Sequence, residues 1–135
     1  MTTIIDASVG LKWVCEEEGS DRAGALLDGR PLAAPSFWLT EAANALWRRV
    51  LRSELTLSEA DERMAELLRA PVDRLDAQDM VLAALKVACD LKHPVYDCLY
   101  LVAAIRANGR LVTADRRLHA ATSDHPYFGS TVALL

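Results

Sequence analysis

Short apolar runs rich in β-branched residues alternate along this chain with segments whose apolar residues recur at helical spacing. Thr2 to Ile5 reads as a strand, and Ala7 to Val14 takes up the helical period directly after it. The same change of period recurs toward the C-terminus, where Arg110 to Thr113 precedes a segment beginning Arg116-Arg117-Leu118. Strands that alternate with helices are joined by right-handed crossovers and pair in parallel. The expected fold is therefore a three-layer α/β/α domain with a central parallel sheet of four or five strands.

The punctuation between these two ends fits that frame. Ser20 or Asp21 can cap a helix through Leu27, and Leu32 to Ala34 forms a short strand candidate between Pro31 and Pro35. Ser36 is placed to cap a helix from Phe37 to about Arg52, through the preference of hydroxyl side chains for orphan N–H groups. Ser58 with Asp61 and Glu62 resembles a capping box that opens a helix through Leu68. Pro71 ends that helix, Val72 to Leu75 reads as a strand, and Gln78 to Leu91 as an apolar helix. After the break at His93 and Pro94 a helix runs to Asn108, which with Gly109 serves as a stop, and Thr131 to Leu134 is the last strand candidate.

At 135 residues the chain suits one compact domain, residues 1–135. Its start lacks the basic and long apolar regions of a signal peptide, so secretion is not expected. The apolar stretch Met80 to Cys89 is far shorter than the roughly 20 residues of a membrane span, so no membrane association is expected either. Cys15, Cys89 and Cys98 are odd in number and form no C-x-x-C pair, which fits reduced cytoplasmic thiols rather than a disulfide framework or a zinc knuckle. The net charge of −4 gives no general attraction to nucleic acid, so local clusters carry that question. Arg48, Arg49 and Arg52 gather at the end of one helix, and Arg116 and Arg117 follow Asp115; both groups can touch phosphates or be solvated. The run Glu16 to Glu18 reads as a solvated acidic face.

Four carboxylates stand apart from that surface population. Asp6 and Asp115 follow strands, whereas Glu41 and Asp97 lie in the first turns of helices. One such acid is explained as a helix cap. Four spread across the chain need more, because an open parallel sheet brings residues remote in sequence to the crevice beyond the strands' carboxyl ends. Carboxylates gathered there repel one another unless a cation joins them, and hard ions such as Mg²⁺ and Mn²⁺ take oxygen ligands. A metal-activated water attacking phosphorus makes phosphodiester hydrolysis the expected reaction. Ser8 and Thr113, each two residues from one of these acids, can orient a carboxylate or a water, or simply bond to local backbone.

The four segments Ile4-Ile5-Asp6-Ala7-Ser8, Pro35 to Leu46 with Glu41, Tyr96-Asp97-Cys98-Leu99-Tyr100 and Leu111-Val112-Thr113-Ala114-Asp115 together resemble a PIN domain. Their order, spacing and total length are similar to the VapC-type toxins of bacterial toxin–antitoxin pairs, over essentially the whole chain. The resemblance implies a Mg²⁺- or Mn²⁺-dependent endoribonuclease that cuts structured RNA such as tRNA or rRNA. It further implies Asp6, Glu41, Asp97 and Asp115 as the catalytic and metal-site acids, a homodimer, and silencing by a small cognate antitoxin. Where some PIN nucleases carry a further acid or amide, this chain has Arg116, Arg117, Leu118 and His119, which tells against a fully occupied second metal site. His93 and His125 each precede a proline and read as loop residues.

Two other function classes compete with this one. A PIN-like module that binds RNA or protein without cutting is compatible with the fold, but it leaves the four acids unexplained. An aspartyl-phosphate enzyme would use Asp6 as nucleophile, yet position 8 is Ser where a second acid belongs, and no lysine follows the late strand.

Overall fold

The computed structural model describes residues 1–135. Five short strands, β1 (Thr3–Ile5), β2 (Leu32–Pro35), β3 (Val72–Leu75), β4 (Arg110–Thr113) and β5 (Val132–Leu134), form one sheet in the order β3-β2-β1-β4-β5. All neighbouring pairs are parallel. Seven helices surround it: α1 (Ala7–Val14), α2 (Ser20–Gly24), α3 (Trp38–Leu51), α4 (Leu57–Leu68), α5 (Val81–Leu91), α6 (Val95–Arg106) and α7 (Arg116–Ser123). This is the three-layer α/β/α arrangement expected from the alternating periods.

The strand order decides where function can sit. From β1 the chain steps outward through β2 to β3, then returns to place β4 and β5 on the other side of β1. The direction of winding thus reverses between β1 and β4, and crossovers on either side of such a switch point diverge to leave a crevice at the strands' carboxyl ends. Ile5 pairs with Val112, so Asp6 and Thr113 leave the sheet side by side at that crevice.

Burial follows sequence pattern. Ile4, Ile5, Leu111 and all four residues of β2 are buried, as expected of strands covered on both faces. Helix α6 is buried without a break from Cys98 to Ala104. An apolar surface on all sides of a helix requires cover on all sides; α6 lies across β1, β2 and β4 with α5 packed against it. The helix therefore holds Asp97, in its first turn, in a fixed position against the central strands.

Helices α1 and α3 meet through Gly10 and Trp38. A β-carbon at Gly10 would lie 2.4 Å from Trp38 Cζ3, and Trp38 is 1% exposed, so the indole has nowhere to go. Overpacking of this kind costs about 1–3 kcal/mol, more than the ~1 kcal/mol by which alanine favours a helix over glycine. Gly10→Ala is expected to lower the melting temperature, measured by thermal unfolding; an unchanged or higher value would show that α1 and α3 can separate without cost.

Several sequence expectations need correction. The box that opens α4 is Thr56 with Glu59, not Ser58 with Asp61 and Glu62: Thr56 Oγ1 accepts from the Glu59 N–H at 3.1 Å and Glu59 Oε1 accepts from the Thr56 N–H at 3.1 Å. Both registers offer a hydroxyl followed by an acid, and Thr56 wins because its backbone is extended while Ser58 is already helical. Helix α2 stops at Gly24 rather than Leu27, and Gln78 to Met80 forms a single 3₁₀ turn ahead of α5. The acidic run is not simply solvated. Glu17 accepts from Lys12 Nζ at 3.2 Å and from Arg49 at 2.6 Å.

Candidate active site

The four acids of the sequence analysis line one cavity of about 230 Å³ at the switch point, together with Ser8, Tyr100 and Arg48. Each arrives by a different route. Asp6 follows β1 and caps α1, accepting the Val9 N–H at 3.3 Å. Asp115 follows β4 and caps α7, accepting the Arg117 N–H at 2.9 Å and the Leu118 N–H at 3.3 Å. Glu41 projects from the first turn of α3 and Asp97 from the first turn of α6. Capping and convergence are therefore compatible: the cap fixes the carboxylate, and the sheet topology decides what it faces.

The hydroxyls named beside Asp6 both bond to it. Ser8 Oγ donates to Asp6 Oδ1 at 2.5 Å, and Thr113 Oγ1 donates to Asp6 Oδ2 from the adjacent strand end. The two also reach backbone, since Ser8 Oγ accepts the Ala114 N–H and Thr113 Oγ1 accepts the Asp115 N–H, each at 3.0 Å. Together they tie the end of β1 to the end of β4.

Two partners of the acids were not singled out by sequence. Tyr100 donates its hydroxyl to Glu41 across the α3–α6 gap. It stands three residues after Asp97, hence on the same face of α6, and that spacing was the available signal. His93, read as a loop residue, places Nε2 2.7 Å from Asp97 Oδ2. Its position four residues ahead of Asp97 puts the imidazole over the first turn of α6.

Burial and like charge set the electrostatics. Asp6, 6% exposed, has its pKa raised to about 6, chiefly by desolvation, against the bonds from Ser8, Thr113 and Val9. Glu41 is also raised, first by burial and further by Asp97 and Asp6, while Tyr100 opposes the shift. Burial, then the charge of Glu41, holds Tyr100 far above the usual phenol range, so it is a constant donor. Four carboxylates face a single guanidinium, Arg48, in this cavity.

That donor set is chemically suited to a hard divalent cation: all oxygen, anionic and gathered at one cavity, with burial and neighbouring negative charge working against ionisation of Asp6 and Glu41. As they stand, no three acid, histidine or cysteine side chains are close enough to grip one ion. One oxygen of each is already committed, Glu41 Oε1 to Tyr100, Asp97 Oδ2 to His93 and Asp115 Oδ1 to its helix. The second oxygen of each of these three has no protein partner.

Residues 3–123 match the sequence profile of the PIN domain. The chain belongs to the PIN-domain family. This PIN domain is 30% identical over 132 residues to Ribonuclease VapC3 of Pyrobaculum aerophilum, covering 87% of this chain and 92% of that protein. Its fold is similar to a crystal structure of a protein from Pyrobaculum aerophilum, with a TM-score of 0.72 at 24% identity over 90% of this chain and 87% of the other. It is also similar to VapBC2 of Rickettsia felis, crystallised with a DNA fragment from their promoter, with a TM-score of 0.67 at 13% identity over 99% and 98% of the two chains. At those identities the structures speak to fold alone.

The arginines divide. Arg48 lines the carboxylate cavity of the PIN domain, whereas Arg49 is held by Glu17 beside α1. Arg52, just past α3, and Arg117 are exposed. Arg116 lines a separate small cavity of about 110 Å³ with Lys12 and Arg22. Of the three tryptophans, Trp38 is buried in the core and Trp13 packs on it edge-on, with ring centroids 6.4 Å apart, while Trp47 is 56% exposed. His125 Nδ1 accepts the backbone N–H groups of Tyr127 and Phe128, a loop role. No helix is long and apolar enough to cross a membrane.

Proposed function

We propose that this chain, as one PIN domain over residues 1–135, is a Mg²⁺- or Mn²⁺-dependent endoribonuclease and the toxin of a toxin–antitoxin pair. The reading rests on one observation above the others: four carboxylates from four elements line a single cavity at the switch point of a PIN fold. The name of the relative, a VapC ribonuclease, supplies the polymer.

Asp6, Asp97, Asp115 and Glu41 are the proposed holders of the ion. A bound Mg²⁺ or Mn²⁺ supplies the charge that neutralises phosphate oxygens and acidifies a water near the phosphorus. The protein's own part is positional. Ser8 and Thr113 orient Asp6, His93 orients Asp97, and Tyr100 fixes Glu41 at the mouth of the cavity. Arg48, the cation among the acids, is placed to meet a phosphate, for which a guanidinium offers a bidentate fork. Arg52, Arg116 and Arg117 are the other proposed contacts to the RNA backbone.

An antitoxin has a place to sit. Helices α3 and α4 enclose an apolar cleft of about 230 Å³ lined by Leu46, Trp47, Val50 and Leu57, and Trp47 and Leu57 are 56% and 76% exposed. We assign this cleft to the cognate antitoxin and expect a homodimer in solution.

The test is incubation of total tRNA and rRNA with the purified chain in Mg²⁺, in Mn²⁺ and in EDTA. Discrete cuts in either metal that vanish in EDTA are expected. Binding of RNA without cutting under every condition would favour the non-catalytic module, which the engagement of the acids by hydroxyls and His93 also accommodates.

A further inference from the structure

Beside the carboxylate cavity, and sharing Glu41 and Arg48 with it, lies a larger open cleft of about 650 Å³ between α3 and α6. Its α3 wall is Phe37, Glu41, Asn44 and Arg48, spaced as one helical face, and its α6 wall is Tyr96 and Leu99. Two rows run along α6. Asp97 and Tyr100 face the acids, and Tyr96 and Leu99, one residue earlier in each case, face the cleft.

The lining has two unusual parts. Tyr96 is 68% exposed, its ring 6.4 Å from that of Phe37 and tilted by 58°, and Phe37 is itself braced by Tyr100 at 5.0 Å. Further along the α3 wall stand Asn44, whose amide carries both donors and an acceptor, and Arg48. An exposed flat ring, an amide and a cation next to a phosphate-cutting site match an unpaired base still attached to its phosphate. Bases splayed from loops or single strands stack on aromatic side chains and are read on their edges, whereas bases in a duplex are not available for this.

Resting on the ribonuclease reading, we propose that the α3–α6 cleft seats one unpaired nucleobase next to the scissile phosphate. Tyr96 stacks on that base, Asn44 bonds its edge and Arg48 holds the intervening phosphate.

The experiment pairs a side chain with a base. Short single-stranded oligoribonucleotides, intact or with one base at a time removed to leave an abasic ribose, are bound to the wild type, Tyr96→Phe and Tyr96→Ala in EDTA, then cleaved with Mn²⁺. Stacking on an aromatic ring is worth roughly 5- to 100-fold in affinity. Removal of one base beside the cut is expected to weaken wild-type and Tyr96→Phe binding about 10-fold and Tyr96→Ala binding no further, with Tyr96→Ala already weaker on intact RNA. Losses that multiply independently, or a Tyr96→Ala protein that binds as tightly as wild type, would overturn the proposal. Cleavage without that coupling removes the base cleft and leaves the ribonuclease; coupling without cleavage does the reverse. Because Tyr96 is exposed, its truncation leaves the core untouched, and unchanged thermal unfolding checks this.

Discussion

Asp97→Asn is expected to reduce metal-dependent RNA cleavage by about 100-fold or more while shifting the melting temperature by no more than a few degrees. Groups that only orient a metal ligand typically cost 10- to 100-fold when lost, and a ligand itself should cost at least that. The fold is insulated from the change. Asp97 is 26% exposed at its side chain and bonds His93 through one oxygen; an asparagine keeps the shape and can still accept from a neutral imidazole. Removing a negative charge also relieves Glu41 and Asp6, both of which feel Asp97. Single-turnover cleavage of one RNA, run beside thermal unfolding, measures both quantities. Full activity in this variant would remove Asp97 from the site and with it the metal-site reading of the cavity.

The legibility of this chain varied with the range of the interaction concerned. Strands β1, β3 and β4 and the helices they feed were readable because local period and local breakers set them, and parallel pairing followed from the alternation. The four acids were readable for a related reason: each sits at an element boundary, where a carboxylate in an apolar setting stands out. What lay beyond reach was contact across the fold. Nothing in the sequence near Glu17 marks it as the partner of Arg49, thirty-two residues away, so both the acidic run and the arginine cluster looked free. Tyr100 and Glu41 meet from α3 and α6, fifty-nine residues apart. The Thr56 box was missed for a smaller reason, since two overlapping registers differ only in which hydroxyl has extended backbone. The spacing of His93 to Asp97 is one helical turn, but Pro94 ends the preceding segment and leaves His93 outside α6, where a helical spacing does not by itself imply contact.

Asp6→Asn is expected to abolish cleavage and, at neutral pH without metal, to raise stability by about 2–3 kcal/mol. The sign follows from burial. The folded protein raises Asp6 from 3.8 to about 6, so folding favours the protonated acid. That contribution is fully present below about pH 4, falls as pH rises between the two values, and is gone above about 6, where the ionised carboxylate stays buried. Asparagine carries no charge, caps α1 as well as aspartate does, and still offers an oxygen to Ser8 and Val9. Toward Thr113 it presents an amide N–H₂, and the Thr113 hydroxyl can turn to accept it. The variant should therefore melt several degrees above the wild type at pH 7.5, and the two should converge near pH 4. Divalent metal reverses the order: at about 100 times its dissociation constant a ligand that binds only the folded state adds roughly 2.7 kcal/mol, and only the wild type should gain it. Scans at both pH values, in EDTA and in Mn²⁺, read all four states. A variant that is no more stable than wild type at pH 7.5, or that gains as much from Mn²⁺, would mean that Asp6 is a buried cap and not a ligand. If instead the four states order as expected, the instability of the empty site is the same electrostatic energy that a bound ion releases, and the chain carries it because the cavity is built to hold a cation.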